Sequence, residues 1–243
     1  MGADLMGWRG CALQRVHGPD GFLHKIKLRG YRAAIESQIP PGPDRDRARF
    51  VVHVLRPEGP TEKEMGYAEL VRDLDDFGRG IPDCASCPLA GGQAVGCTRY
   101  VTYPIDAVCE QAAFAFVAGQ IESAGSVAQR FFEARASALP RAGSGWHVRR
   151  GPGLGGLATL ARPLEHVWGG WFSRRRIDSA QILFALTSPD PRGLALHASF
   201  LDGFVAHCAA TASRSTSIDE LASLVPFFRA LAANPSWSLY VDA

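Results

Sequence analysis

Apolar residues change their spacing near position 103, and that switch limits the folds open to the chain. Before it, short runs alternate, as strands do when successive residues line opposite faces. The stretches 9–17 and 22–28 are two such runs, and Gly18-Pro19-Asp20-Gly21 between them has the backbone preferences of a hairpin turn. The stretches 31–39 and 49–55 flank Pro40-Pro41-Gly42-Pro43-Asp44 and predict a second hairpin, with Phe50-Val51-Val52-His53-Val54-Leu55 as its best strand. Thr61 stands three residues before Glu64, a capping-box spacing. With Met65, Leu70, Val71 and Leu74 it predicts one helix that ends at Gly78 and Gly80.

After Pro104 the helical period takes over. Asp106 is placed to cap a helix through Cys109, Ala113, Phe116 and Val117, and 126–138 gives another with Val127, Phe131 and Phe132. Further helical patterns fall at 157–168, 178–187 and about 192–209. In the last helix Ser217, Asp219 and Glu220 lie near the start, and Leu221, Leu224, Val225, Phe228 and Leu231 share one face. A terminal strand is expected at 238–241. The expected fold is therefore α+β: a β-rich N-terminal part with antiparallel hairpins and one helix, followed by a mainly helical C-terminal part. These parts are 1–103, carrying a cysteine loop, and 104–243, as two pieces or one continuous domain.

Composition excludes several classes. With 243 residues, 47% of them hydrophobic and 21% charged, the chain is globular rather than disordered, collagen-like or a disulfide miniprotein. It can bury roughly 70% of its unfolded surface and needs no metal merely to fold. A net charge of +2 gives no general attraction to nucleic acid or anionic membrane. The opening MGADLMGWRG lacks the basic and apolar segments of a secretory signal, and the most apolar stretch, 112–118, is far short of the ~20 residues that span a bilayer. The expectation is a cytoplasmic protein without membrane partners. Lysine occurs only at positions 25, 27 and 63 and asparagine only at 234, a bias that suggests a GC-rich bacterial genome.

The strongest chemical signal is Cys84-x2-Cys87-x9-Cys97, with Cys109 eleven residues further on. Thiolates two residues apart can face one ion from a tight turn, and a reducing cytosol keeps them available for zinc or an iron–sulfur cluster. Zinc is favoured, because iron–sulfur sites more often show closely spaced runs of three or four cysteines. The fourth ligand is read first as Cys109 and second as His53. A redox pair is disfavoured, since Pro88 and Gly91-Gly92 would end any helix whose dipole could lower the thiol pKa. A disulfide and uninvolved surface thiols are the remaining readings. Cys11 and Cys208 are expected in the core.

Two further features carry charge or glycine. Gly151-Pro-Gly153-Leu-Gly155-Gly156 fits G-x-G-x-x-G, and with Arg149 and Arg150 it could form an anion site from backbone N–H groups. The preceding His-Val-Arg-Arg is short and polar for a dinucleotide fold, so a connecting loop is the simpler reading. From 130 to 176 nine arginines stand against two glutamates, including Arg174, Arg175 and Arg176 after Trp168, Trp171 and Phe172. Aromatic and guanidinium groups together suit single-stranded nucleic acid, although a helix face or an acidic protein accounts for them as well.

No nucleophile elbow, Walker loop or zincin motif appears, and the seven histidines are scattered. The reading is a metal-binding interaction or regulatory module with a structural zinc, oriented toward a protein partner, with Arg99, Tyr100 and Tyr103 held ready by the zinc loop. The alternatives are an enzyme with an open zinc position or a group-transfer site at Gly151–Gly156, and nucleic-acid binding through 130–176.

Overall fold

The computed structural model describes residues 2–56, 59–79, 87, 89, 96–102, 105–120, 123, 125–136, 148–149, 166–168, 175–177 and 193–242. The fold is α+β, with antiparallel strands early and helices dominating late. Its strands are β1 (Gly2–Trp8), β2 (Arg49–Arg56), β3 (Gly59–Gly66), β4 (Thr98–Thr102), β5 (Val148–Arg149), β6 (His166–Trp168), β7 (Arg175–Ile177) and β8 (Ser238–Asp242). Its helices are α1 (Ala12–Gln38), α2 (Pro43–Arg47), α3 (Tyr67–Arg79), α4 (Ala107–Gln120), α5 (Val127–Ala136), α6 (Leu194–Ala210) and α7 (Thr216–Ala232). Two compact units result: Trp8–Gly96, and Met1–Gly7 together with Cys97–Ala243. The sequence reading divided the chain at 103/104 instead; here β1 and β4 share a unit with the late helices.

In the unit Trp8–Gly96 the expected hairpin over 9–28 is replaced by helix α1. The turn signal is real but joins two helical segments: Gly18 has φ +68° and ψ 173°, and Pro19 begins the second segment. Proline is well suited to a first helical turn, where its missing N–H has no partner to lose. Leu13, Phe22, Leu23 and Leu28 are the buried apolar residues of α1. At the end of the helix, Arg45 of α2 donates to the carbonyls of Glu36 (3.1 Å) and Ile39 (2.7 Å from Nε), satisfying acceptors that a helix terminus leaves open. Tyr67 opens α3 and donates its hydroxyl to the Glu36 carboxylate at 2.7 Å, which also accepts Arg32 Nε at 2.8 Å. These bonds, Arg32 first, hold the Glu36 carboxyl below its ordinary pKa.

Strand β2 forms as expected, but its partner is β3 rather than 31–39, with Phe50 opposite Met65 and Val52 opposite Lys63. Thr61 and Glu64 therefore lie in a strand instead of a capping box, and the helix starts at Tyr67. Ring stacking of Phe50 on Tyr31 (5.8 Å between centroids) ties β2 to α1.

In the other unit the sheet has strand order β4-β1-β8-β5. Strand β1 runs antiparallel to β4, with Met6 opposite Thr98 and Gly2 opposite Thr102, and β5 runs parallel to β8. Beyond the end of the ladder the Gly7 N–H donates to the Cys97 carbonyl at 2.8 Å. The chain thus leaves this unit after Gly7 and re-enters it at Cys97, at two bonded points 90 positions apart in sequence.

Helix α6 is the centre of the helical layer. It has one charged residue, Asp202, in 17 and buries Leu194, Ala198, Phe200, Leu201, Phe204 and Cys208. A helix so apolar must be covered on most of its circumference. Phe131 of α5 stacks on Phe200 with centroids 4.2 Å apart and planes 8° from parallel, and Phe116 of α4 meets both Phe200 and Phe204 at tilted angles. Such ring pairs contribute about 0.5–1.5 kcal/mol beyond the area they bury. Gly203 permits the approach, because a Cβ there would lie 3.2 Å from Phe116 Cζ and 3.3 Å from Val127 Cγ1.

Asp106 caps α4 as expected, accepting the Cys109 N–H at 2.9 Å, and its other carboxylate oxygen accepts the Ser217 N–H of α7 at 3.2 Å. The Asp106 N–H in turn donates to Ser217 Oγ at 3.1 Å. Burial pushes the Asp106 carboxyl up, but the bonds from Cys109, Ser215 and Ser217 outweigh it and leave the pKa below its ordinary value. Asp106→Ala should lower stability by about 1–3 kcal/mol, since it uncaps one helix and releases another. Asp106→Asn has one carbonyl oxygen for two N–H donors and should recover only part of that. Because the folded pKa is depressed, the contribution is present above the unfolded value of about 3.9 and fades as pH falls through the folded one. Chemical denaturation across acid pH checks this; equal acid sensitivity in wild type and Asp106→Asn would contradict it.

Candidate functional site

The cysteines fall into two groups. Cys109 is fully buried in the first turn of α4, and Cys208 is buried on α6, as expected for the latter. Burial pushes both thiols above their ordinary pKa, far above at Cys109, where Asp106, Cys208 and Glu220 add to the effect. Cys87 and Cys97 are only part-buried, and so is Cys11, which stands at the N-terminal boundary of α1 instead of packing in a strand. Cys84 lies outside the described residues.

Among the described residues, Cys87, Cys97 and Cys109 form no group of potential metal ligands. Cys97 immediately precedes β4, while Cys109 lies near Glu220, whose carboxylate binds the N–H and hydroxyl of Thr102 at the far end of the strand (2.7 and 2.8 Å). Among the described residues no three His, Cys, Asp or Glu side chains are grouped to hold a metal. His53, the second candidate for a fourth ligand, is in β2.

Strand β4 carries two of the residues expected to face a partner. Arg99 is instead engaged with α7: its Nε donates to the Ser223 carbonyl at 3.3 Å, and its guanidinium lies 5.5 Å from the Phe227 ring centre. Burial lowers its pKa, opposed by the nearby Cys97 thiol. Tyr100 alternates to the other side and is 48% exposed. Tyr103 lies outside the described residues.

Arg149 belongs to β5, where it pairs with Asp242, so a parallel strand does precede the glycine segment. Arg150, Gly153 and the rest of Gly151–Gly156 lie outside the described residues, as does Arg174. Arg175 and Arg176 open β7, which pairs with β6 over 166–168, where a helix was expected. His197 and His207 share α6 without forming a pair. His197 packs against the rings of Phe131 (5.2 Å) and Phe228 (4.9 Å), and His207 against Phe116 (5.7 Å).

Comparison with known proteins gives no further guide: no family model, no curated protein and no solved structure matches the chain.

Accessibility makes the thiols chemically distinguishable. In the reduced, metal-free chain at about pH 8, Cys87 and Cys97 should alkylate with iodoacetamide well before Cys109 and Cys208, because the thiolate is the reactive form and burial suppresses it. Peptide mass spectrometry reads the order. Labelling of Cys109 as fast as Cys97 in the folded chain would show that α4 does not bury it.

Proposed function

We propose that the chain is a metal-binding interaction or regulatory module whose Cys84, Cys87 and Cys97 thiolates hold a structural zinc. The C-x2-C-x9-C spacing carries this reading, since a pair two residues apart converges on one ion and a third thiolate within a short, glycine-containing stretch can close on it. The part-exposure of Cys87 and Cys97 supports it, because an incoming ion can reach them. Cys109, which among the described residues forms no ligand group with Cys87 and Cys97, is left out of the ligand set, and His53 on β2 is the remaining candidate for the fourth ligand. Zinc held by protein ligands alone would fix this stretch of chain ahead of β4 rather than perform chemistry, which is why binding or regulation is preferred to catalysis.

Elemental analysis of the purified full chain tests the reading. About one zinc per chain is expected, with Cys84, Cys87 and Cys97 protected from alkylation until a chelator is added. Cys87→Ser should lose the metal and lower the melting temperature together, whereas Cys109→Ser should retain the metal. A metal-free chain in which Cys84, Cys87 and Cys97 alkylate freely without a chelator would overturn the proposal. Bound iron with visible absorption would replace zinc by a cluster.

A further inference from the structure

Helix α1 carries a basic stripe in which one cation is left without a counterpart. Beyond the break at Gly18, Lys25, Arg29, Arg32 and Glu36 recur at helical spacing and lie on one face. Both ends of that face are bonded to α3. Lys25 Nζ donates to the Asp73 carbonyl, and the Glu36 carboxylate accepts the Tyr67 hydroxyl at 2.7 Å as well as Arg32 Nε at 2.8 Å. Arg29, one turn from Lys25 and from Arg32, differs from both. Its Nη1 is buried without a hydrogen-bond partner among the described residues, and none of their carboxylates pairs with it. Glu69 of α3 is taken by Lys63 at 2.6 Å. A buried donor with no acceptor is destabilising, and more so when it belongs to a charge. Arg29 as a whole is part-exposed, so an acceptor can reach its guanidinium from solvent.

We propose that Arg29 anchors a site for a phosphate-bearing small molecule on the α3 side of helix α1, with Lys25 and Arg32 flanking the bound group. A guanidinium presents its N–H donors as a fork that matches two phosphate oxygens, and a donor with nothing to bond in the free chain gains most from such a ligand. Charge selects phosphate over a single carboxylate. Lys25, Arg29 and Arg32 against Glu36 leave two positive charges on the stripe, and a phosphate monoester carries close to two negative ones above its second pKa of about 6. Lys25 and Arg32 are held by their bonds to Asp73 and Glu36, so the ligand meets an arrangement of charge already in place. None of these residues belongs to the proposed zinc loop, and the two sites can be tested separately.

Isothermal titration calorimetry of the full-length chain with inorganic phosphate and with glycerol phosphate, at constant ionic strength, tests the site. Both should bind, and affinity should rise between about pH 5.5 and about pH 7.5, because the phosphate gains its second charge over that range. Tighter binding of the ester supports a phosphorylated metabolite as the ligand, and equal binding supports free phosphate. Arg29→Gln should weaken phosphate binding about tenfold or more, and Arg29→Lys, which keeps the charge without the fork, should fall between it and wild type. Arg229→Gln, at the exposed pair with Asp202, should bind as wild type does. Melting curves establish that each variant is folded, and should Arg29→Gln not fold, Arg29→Lys carries the test. Failure of wild type to bind either phosphate, a folded Arg29 variant that binds as tightly as wild type, or tighter binding of acetate than of phosphate would each overturn the proposal.

Discussion

Helix α6 sets the terms for the unit that contains it. With Asp202 as its only charge, it cannot lie on a surface, and α4, α5 and α7 supply the cover through Phe116, Phe131, Phe132 and Phe228. The parallel stacking of Phe131 on Phe200 and the close approach at Gly203 leave little freedom in how these helices cross, because interiors are packed to crystal-like density. Asp106 then joins the starts of α4 and α7 by bonds to Cys109 and Ser217, and Glu220 one turn later binds Thr102 of β4. Apolar burial thus brings the helices together, and a short series of polar bonds fixes them against the sheet edge.

That arrangement also explains why the cysteines separate. Cys109 and Cys208 occupy positions where a small apolar side chain packs well, and burial makes their thiolates costly. Cys97 sits where the chain rejoins the sheet, with its carbonyl bonded to Gly7 and its side chain part-exposed. A metal held just before β4 would act on the strand that carries Arg99 and Tyr100. Since Arg99 is already secured by Ser223 and Phe227, any effect at this end of the strand would pass to α7.

Several elements were legible because local chemistry and tertiary packing favour the same state. Asp106 as a cap, the phenylalanine stripes of α4 to α7 and the apolar run of β2 are examples. The misreadings have equally specific causes. Gly18-Pro19-Asp20-Gly21 does turn the chain, but a glycine at positive φ followed by proline serves a break between helices as well as a hairpin. Thr61 and Glu64 have the spacing of a capping box, yet β2 needed a partner, and pairing with β3 satisfied a whole row of backbone groups. For Cys109, sequence distance from Cys97 said nothing about the helix that packs it into the apolar core.

The sequence by itself determined the α+β character, the positions of helices α4 to α7 and the presence of a thiolate spacing, because periodicity, caps and short-range ligand geometry act over a few residues. Only the tertiary structure decided that β1 pairs with β4 across the whole intervening unit Trp8–Gly96, that Asp106 bonds Ser217 111 residues away, and that Trp168 stands opposite Arg175. Those outcomes depend on which distant segments bury one another and satisfy one another's backbone groups, and that information is distributed over the whole chain rather than written in any local stretch.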